Sequence, residues 1–432
     1  MTIRVSSKNE VRDKVSQPME QGSGKIRKEM MRGIKTIQED FPFLPSTALG
    51  IIFNFGSRDE EIPGMTHFIE HTLFKGTRKK TAREISLTAE SLGAHIDGFT
   101  TREATGLYAR CLKDKTKEVL ALLFEIVASP LFLEGEVEKE KRVVFQEIRE
   151  IEEDPEDKVF SILYEGIFPN HPLGQKITGT FETVKGFSRE KILNYFQSSY
   201  TKERVLLFSI GNFLPTDLSF LSSLNNSSAF LRKREKPNFP QKMVRVERRK
   251  ELESVYIVIA QPIFVSPHNR YALSVLNTAF GGSLSSRLFQ RLREEEGLVY
   301  QISSFFDFYS DCALFGIYFV TSQKFSQKAL RIIYEVRERC YKDLFSPKEF
   351  EVALNLTKSS VILSQESPLH RMFALAKSEL LFGETLTLEE VLTNYEKVRL
   401  EEVNFLVREV LMPPLVIAAV GSLKEKELES FL

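Results

Sequence analysis

The sequence predicts an α+β protein made of two homologous domains, each an antiparallel sheet packed by helices. Three observations carry this expectation. The chain has 432 residues, more than one hydrophobic core usually organises. Strand-like and helix-like patterns come in blocks rather than in strict alternation. Two stretches also end alike, "RVLLFSIGNF" (204–213) and "PLVIAAVGSL" (414–423). Each is a short apolar run closed by a glycine and a polar residue, and each follows a charged helical pattern. Gly211 and Gly421 stand 210 positions apart, 421 minus 211, which is about half the chain and points to an internal duplication.

In chain order, residues 1–25 read as a polar tail with no apolar segment of the kind a secretory leader carries. The first domain is expected over 26–213. "KEMMRGIKTIQED" (28–40) reads as a hairpin, although it lacks an Asn-Gly turn. "TALGIIFNFGS" (47–57) and "TGLYARCL" (105–112) read as strands. "EVEKEKRVVFQEIREIEEDPED" (136–157) and "SREKILNYFQSSY" (188–200) read as helices. Residues 214–242 are rich in Ser, Asn, Pro and basic residues and read as a linker. The second domain, 243–432, is expected to open on the strand "SVYIVIAQPIF" (254–264). It continues through the strand "ALFGIYFVT" (313–321) and the helix "LEEVNFLVREVL" (400–411).

Composition excludes several function classes. Lys plus Arg equals Asp plus Glu, 59 each, so net charge offers no reason to expect nucleic acid or an anionic membrane as partner. No run of about 18 apolar residues suggests a membrane span. Cys111, Cys312 and Cys340 are odd in number, far apart and in no CxxC pattern. That argues against a disulfide framework and fits a cytoplasmic location.

The stretch that carries chemistry is "GMTHFIEHTLFKGT" (64–77). Thr66 is placed to cap a helix there. On a helix His67 and His71, four apart, share a face and can grip one ion. Glu70 lies beside them, where a carboxylate can take a proton from a metal-activated water. This H-x-x-E-H order is the inverted form of a zinc-protease motif. By itself the motif leaves two readings equally open, a metal site and an amphipathic helix with chance histidines. A third ligand would separate them. In the helix expected over 136–157, Glu140 and Glu147 are two turns apart on one face, with Val143 and Val144 between them on a side expected to turn inward. Glu147 lies in the apolar run "VVFQEI", where a carboxylate is costly unless paired or metal-bound. Glu136, Glu138, Glu150, Glu152 and Glu153 are expected to be solvated.

With these residues the sequence resembles the inverzincin metallopeptidases of the pitrilysin/insulinase family, especially the short-chain branch that includes the mitochondrial processing peptidase. "AESLGAHIDGFTTREATGLYAR", "EKEKRVVFQEI", "HPLGQKITGT" and "GGSLSSRLFQRLREEEGLVYQISS" stand as family-like blocks in family order, so the resemblance covers roughly residues 30–425. It implies Zn2+ held by His67, His71 and Glu147, the last 76 positions after His71 (147 minus 71). It implies Glu70 as general base and Glu140 as an orienting carboxylate beside the site. Arg293 and Tyr300 match a pair that contacts substrate. Asp97 stands where the family usually has an asparagine that helps seat the substrate backbone. An ionised aspartate can accept there but not donate. His95, His171, His268 and His370 are read as non-ligating.

The function so implied is a zinc-dependent endopeptidase that acts on extended peptides or unfolded polypeptides. The family's clamshell chamber uses four repeats and this chain supplies two, which implies a homodimer in which Arg293 and Tyr300 reach the partner's site. The alternatives are a non-catalytic scaffold or assembly subunit of the same fold, or the catalytic half of a heterodimer.

Overall fold

The computed structural model describes residues 24–211, 224, 233–240, 242–263, 265–411 and 416–432. The tail expected over 1–25 lies outside them except for its last two residues. The first half runs β1 (Lys25–Met31), β2 (Ile34–Asp40), β3 (Ser46–Phe53), α1 (Met65–Leu73), α2 (Ala82–Ser91), β4 (His95–Thr100), β5 (Thr105–Leu112), α3 (Thr116–Ala128), α4 (Glu134–Glu153), α5 (Pro155–Ile167), α6 (Phe181–Lys185), α7 (Arg189–Ser199) and β6 (Val205–Gly211). The second half runs β7 (Met243–Arg248), β8 (Ser254–Ile263), α8 (Arg270–Phe280), α9 (Arg287–Phe289), β9 (Val299–Phe308), β10 (Ala313–Ser322), α10 (Ser326–Asp343), α11 (Pro347–Ser364), α12 (Pro368–Phe382), α13 (Leu388–Lys397), α14 (Leu400–Val410) and β11 (Val416–Gly421).

Each half forms one sheet, ordered β1-β2-β6-β3-β5-β4 and β7-β11-β8-β10-β9. With β1 set aside, the two orders trace the same path. The sheets are not wholly antiparallel, as the sequence led one to expect. β2 pairs with β6 in parallel, and so does β7 with β11. The last strand of each half returns from a helical layer, and that long crossover is what a parallel neighbour requires. The repeated glycines mark where this returning strand ends. Gly211 and Gly421 have φ of 137° and 142°. A Cβ on them would stand 2.9 and 3.1 Å from the carbonyl oxygens of Ser46 and Ser254, the first residues of β3 and β8. Only glycine suits both constraints. In the β1–β2 hairpin Arg32 and Gly33 both have positive φ, 52° and 82°, as a two-residue type I′ turn needs. The hairpin therefore closes without Asn-Gly.

Alternation along the central strands sets two faces. In β3, Leu49, Ile51 and Phe53 point into a core with α1, α3, α4 and α7. Ala48 and Ile52 point to the other face, which is covered by Met372, Leu375 and Ala376 of α12, a helix from the second half. The second sheet mirrors this. Ile257 and Ile259 face α8, α10 and α14, whereas Val258 and Ala260 face Val159, Leu163 and Ile167 of α5, a helix from the first half. The halves thus exchange helices. Arg371 of α12 grips Glu39 of β2 through two nitrogens, Nη2 at 2.9 Å, and both residues are buried. Lys158 of α5 reaches Glu247 of β7 at 3.2 Å.

The structure differs from the local expectations in four places. The helix read over 136–157 breaks at Asp154, whose carboxylate accepts from Glu156 N and Asp157 N, with Pro155 opening α5. Proline fits that first turn and not a helix interior. Glu152 is not merely solvated, because Lys158 and Lys176 hold it. Of the two valines expected to face inward, Val144 is buried but Val143 is 49% exposed. The linker is also packed where it is described. Leu224 is buried in the first core, and Arg234 pairs with Asp59 at 2.7 Å.

Candidate metal centre

Helix α1 lays Met65, Phe68, Ile69 and Leu73 into the first core, a stripe at helical spacing. His67, Glu70 and His71 lie on the adjoining stripe, toward α4 and β4. The start of α1 is not capped by Thr66. The cap residue is Gly64, and Thr66 sits in the first turn with its hydroxyl 3.0 Å from Tyr195 Oη. The free amides are met instead by Glu60, which accepts from Gly64 N at 2.6 Å and Thr66 N at 2.8 Å. Burial pushes the Glu60 carboxyl up to about 8, against the pull of those two hydrogen bonds.

Glu147 comes up from α4 to meet both histidines. His67 Nε2 lies 3.4 Å from Glu147 Oε1, and His71 Nε2 lies 3.5 Å from Glu147 Oε2. Donors about 2.0–2.1 Å from one tetrahedral ion stand about 3.4 Å apart. The separations are therefore those of ligands around a shared cation, and long for direct hydrogen bonds. One donor atom from each of the three residues falls within 4.8 Å of the others. Glu147 Oε2 is buried and accepts no hydrogen bond among the described residues, a polar atom that a cation held by the trio would satisfy. Two imidazoles and a carboxylate are a donor set suited to zinc. Residues outside the trio extend it. His71 Nδ1 faces Glu140 Oε2 at 3.4 Å, and Glu140 Oε1 accepts from Lys75 Nζ at 2.8 Å. Burial works against charge on both His71 and Glu147, but their mutual pairing wins. Glu140 first, and then Glu147, carry His71 up to about 9, and His67 together with His71 carries Glu147 down to about 2.

Glu70 stands against the edge strand β4. A Cβ at Gly98 would lie 2.7 Å from its Cγ, so the carboxylate stem runs flush with the β4 backbone. Thr100 donates to Glu70 Oε2 at 2.5 Å. Burial raises the Glu70 carboxyl, opposed by the Thr100 hydrogen bond and by the histidines. Asp97, on the same strand, is exposed. It accepts from Gly98 N at 2.8 Å and from the Tyr108 hydroxyl at 3.2 Å, and its charge adds to the upward push on Glu70.

Arg293 and Tyr300 are not brought to this cluster. Both are exposed, Tyr300 by 64%. They lie in the second half, one before β9 and the other at its start, with Arg293 over the ring of Phe289. His95, His268 and His370 are exposed, and His171 meets Glu235 O. Lys75, Thr100 and Glu60 were not singled out in the sequence. Lys75 and Thr100 lie inside the quoted blocks, but no spacing rule marks a residue that acts through a neighbour from another element.

The chain matches the family model described as insulinase (peptidase family M16) over residues 35–181, and that described as peptidase M16 inactive domain over 186–357. It is 34% identical to YmxG of Bacillus subtilis, named an uncharacterized zinc protease, over 90% of this chain and 96% of that one. It is 31% identical to another protein so named from Mycobacterium tuberculosis, over 90% and 91% of the two chains. Among solved structures it resembles one titled as a peptidase M16 inactive domain from Pseudomonas fluorescens. The TM-score is 0.84 at 20% identity, with 92% of this chain and 98% of that one covered. A protease from Helicobacter pylori superimposes with a TM-score of 0.81 at 16% identity, covering 92% and 99%. At these identities the two structures speak for the fold.

Proposed function

The chain belongs to the insulinase (M16) family of peptidases, and from that premise we propose that it is a zinc-dependent endopeptidase of extended peptides and unfolded polypeptides, working as a homodimer of the short-chain, processing-peptidase-like kind. The observation that carries this is the trio His67, His71 and Glu147 at shared-cation spacing, with Glu70 one residue from His71.

Zinc, when bound there, supplies Lewis acidity, acidifying a water and polarising the scissile carbonyl. Glu70 accepts the proton of the attacking water and returns it to the leaving nitrogen. Burial suits it to the first of these steps, because a carboxylate whose pKa is raised is a stronger base and takes a proton more readily. Glu140 and Lys75 hold His71 in its orientation. Substrate lies along β4, which is an edge of its sheet and offers unpaired backbone groups for strand addition. Asp97 accepts from the substrate backbone on that edge. Arg293 and Tyr300, exposed and away from their own chain's trio, serve the site of the second copy, the Tyr300 hydroxyl donating to the developing oxyanion. Three free cysteines support a cytoplasmic setting.

The test is metal analysis and a fluorogenic-peptide assay on the purified chain. One zinc per chain and chelator-sensitive cleavage are expected, with Glu70→Gln retaining zinc and losing about 10²- to 10⁴-fold in kcat. Bound zinc without cleavage would favour the scaffold reading. A fully active monomer would rule out the dimer.

A further inference from the structure

A carboxylate that serves as base has two oxygens, and only one need take the proton. In Glu70 the two are not equivalent. Oε2 is engaged by the Thr100 hydroxyl at 2.5 Å. Thr100 is the last residue of β4 and pairs directly across the hairpin with Thr105, the first residue of β5. Their hydroxyl oxygens are 3.1 Å apart, and Thr105 Oγ1 also lies 3.1 Å from Phe99 O. Each hydroxyl has one proton and an ionised carboxylate has none. Thr100 must therefore donate to Glu70, and the Thr105 proton is the one left for Thr100 Oγ1 or Phe99 O. The carboxylate thus sets the direction of the Thr100–Glu70 bond, with Thr105 packed behind it. Thr105 is buried and Thr100 half-buried, so water competes little for these bonds.

We propose that Thr100 is the positioning residue of the general base: its hydroxyl occupies Glu70 Oε2 and leaves Oε1 to take the proton from water and give it to the leaving nitrogen. The inference rests on the reading of Glu70 as base. In the catalytic cycle no bond of Thr100 breaks. Its O–H stays with Oε2 while the proton enters and leaves at Oε1. The hydroxyl is committed to Glu70 rather than to substrate, so it acts on kcat and not on KM.

The experiment compares Thr100→Val, Thr100→Ser and Glu70→Gln in the full-length, zinc-loaded protein, with zinc content and kcat and KM for one fluorogenic peptide. Thr100→Val keeps the shape and removes the hydroxyl. It is expected to retain one zinc per chain and an unchanged KM while kcat falls about 10- to 100-fold, the range for one hydrogen bond to a charged group. Thr100→Ser is expected to restore most of kcat. A crystal structure of zinc-free Thr100→Val should show the Glu70 carboxylate turned away from β4. The proposal is overturned if Thr100→Val keeps kcat within about twofold while Glu70→Gln is inactive. It is equally overturned if Thr100→Val loses zinc or changes KM, or if serine fails to rescue, since each places the role in folding or in substrate contact. An active Glu70→Gln would instead remove the general-base reading itself.

Discussion

The two halves of this chain fold along the same path and differ in what they place between the same two helices. In the first half α1, which follows the central strand β3, packs against α4. In the second half α8 packs against α11 in the same way. Between α1 and α4 stand two imidazoles and a carboxylate at cation spacing, backed by Glu140 and Lys75. Between α8 and α11 stand two threonines, Thr278 and Thr357, whose hydroxyls hydrogen-bond at 2.8 Å. The threonine pair satisfies itself. The histidine–glutamate trio does not, because Glu147 Oε2 accepts no hydrogen bond among the described residues. One scaffold can thus carry either a closed polar contact or an open one, and the open one is the candidate for chemistry.

The helix exchange limits how separate the halves can be, and breaking it should give the largest effect on stability. Glu39→Ala leaves Arg371 buried without its counter-charge, which should cost about 3–5 kcal/mol. Because α12 belongs to one half and covers the sheet of the other, urea unfolding should remain a single transition at lower denaturant. Two separated transitions would refute the coupling.

A smaller effect is expected from Glu60, which holds the start of α1 and has no metal to meet. Its carboxyl is raised from 4.5 to about 8 by burial, a shift worth roughly a few kcal/mol. Between those values the folded protein keeps a proton that the unfolded chain has lost, so this group's contribution to stability falls as pH rises through that window. Glu60→Gln should flatten the difference in unfolding free energy between about pH 5 and pH 8 relative to the parent. An unchanged slope would show that Glu60 does not titrate there.

The polar backing of the trio can be removed without touching a ligand. Lys75→Ala should lower zinc affinity about 10- to 100-fold, as loss of an outer partner does, measured by competition with a chromophoric chelator. Unchanged affinity would mean that Glu140 needs no counter-charge to hold His71. The counterpart in the second half should behave oppositely. Thr278→Val should cost about 1 kcal/mol of stability and leave zinc content and cleavage as they were. A loss of zinc would show that the closed contact is not merely structural.

How much could be read beforehand depends on the range of each interaction. Strand positions such as Thr105–Leu112 follow from local pattern, because alternation is a property of a few neighbouring residues. His67, Glu70 and His71 share a helical stripe for the same reason. The approach of Glu147 to both histidines involves two helices far apart in sequence: its apolar run marked it as needing a partner, and the resemblance to a family named the histidines as that partner. The parallel pairing of β2 with β6 and the roles of Lys75, Thr100 and Glu60 had no local signal.

By itself the sequence determined the two-part plan, the repeated glycines and the spacing that puts two histidines and a glutamate on one helix. These depend on steric limits at single residues and on helix period. Tertiary structure alone decided that each half lends the other a helix, that Glu147 completes a cradle with an unsatisfied oxygen, and that a threonine on an edge strand holds one oxygen of Glu70. Those outcomes turn on distances between segments that local pattern does not encode, and on burial, which sets whether a polar group must find a partner.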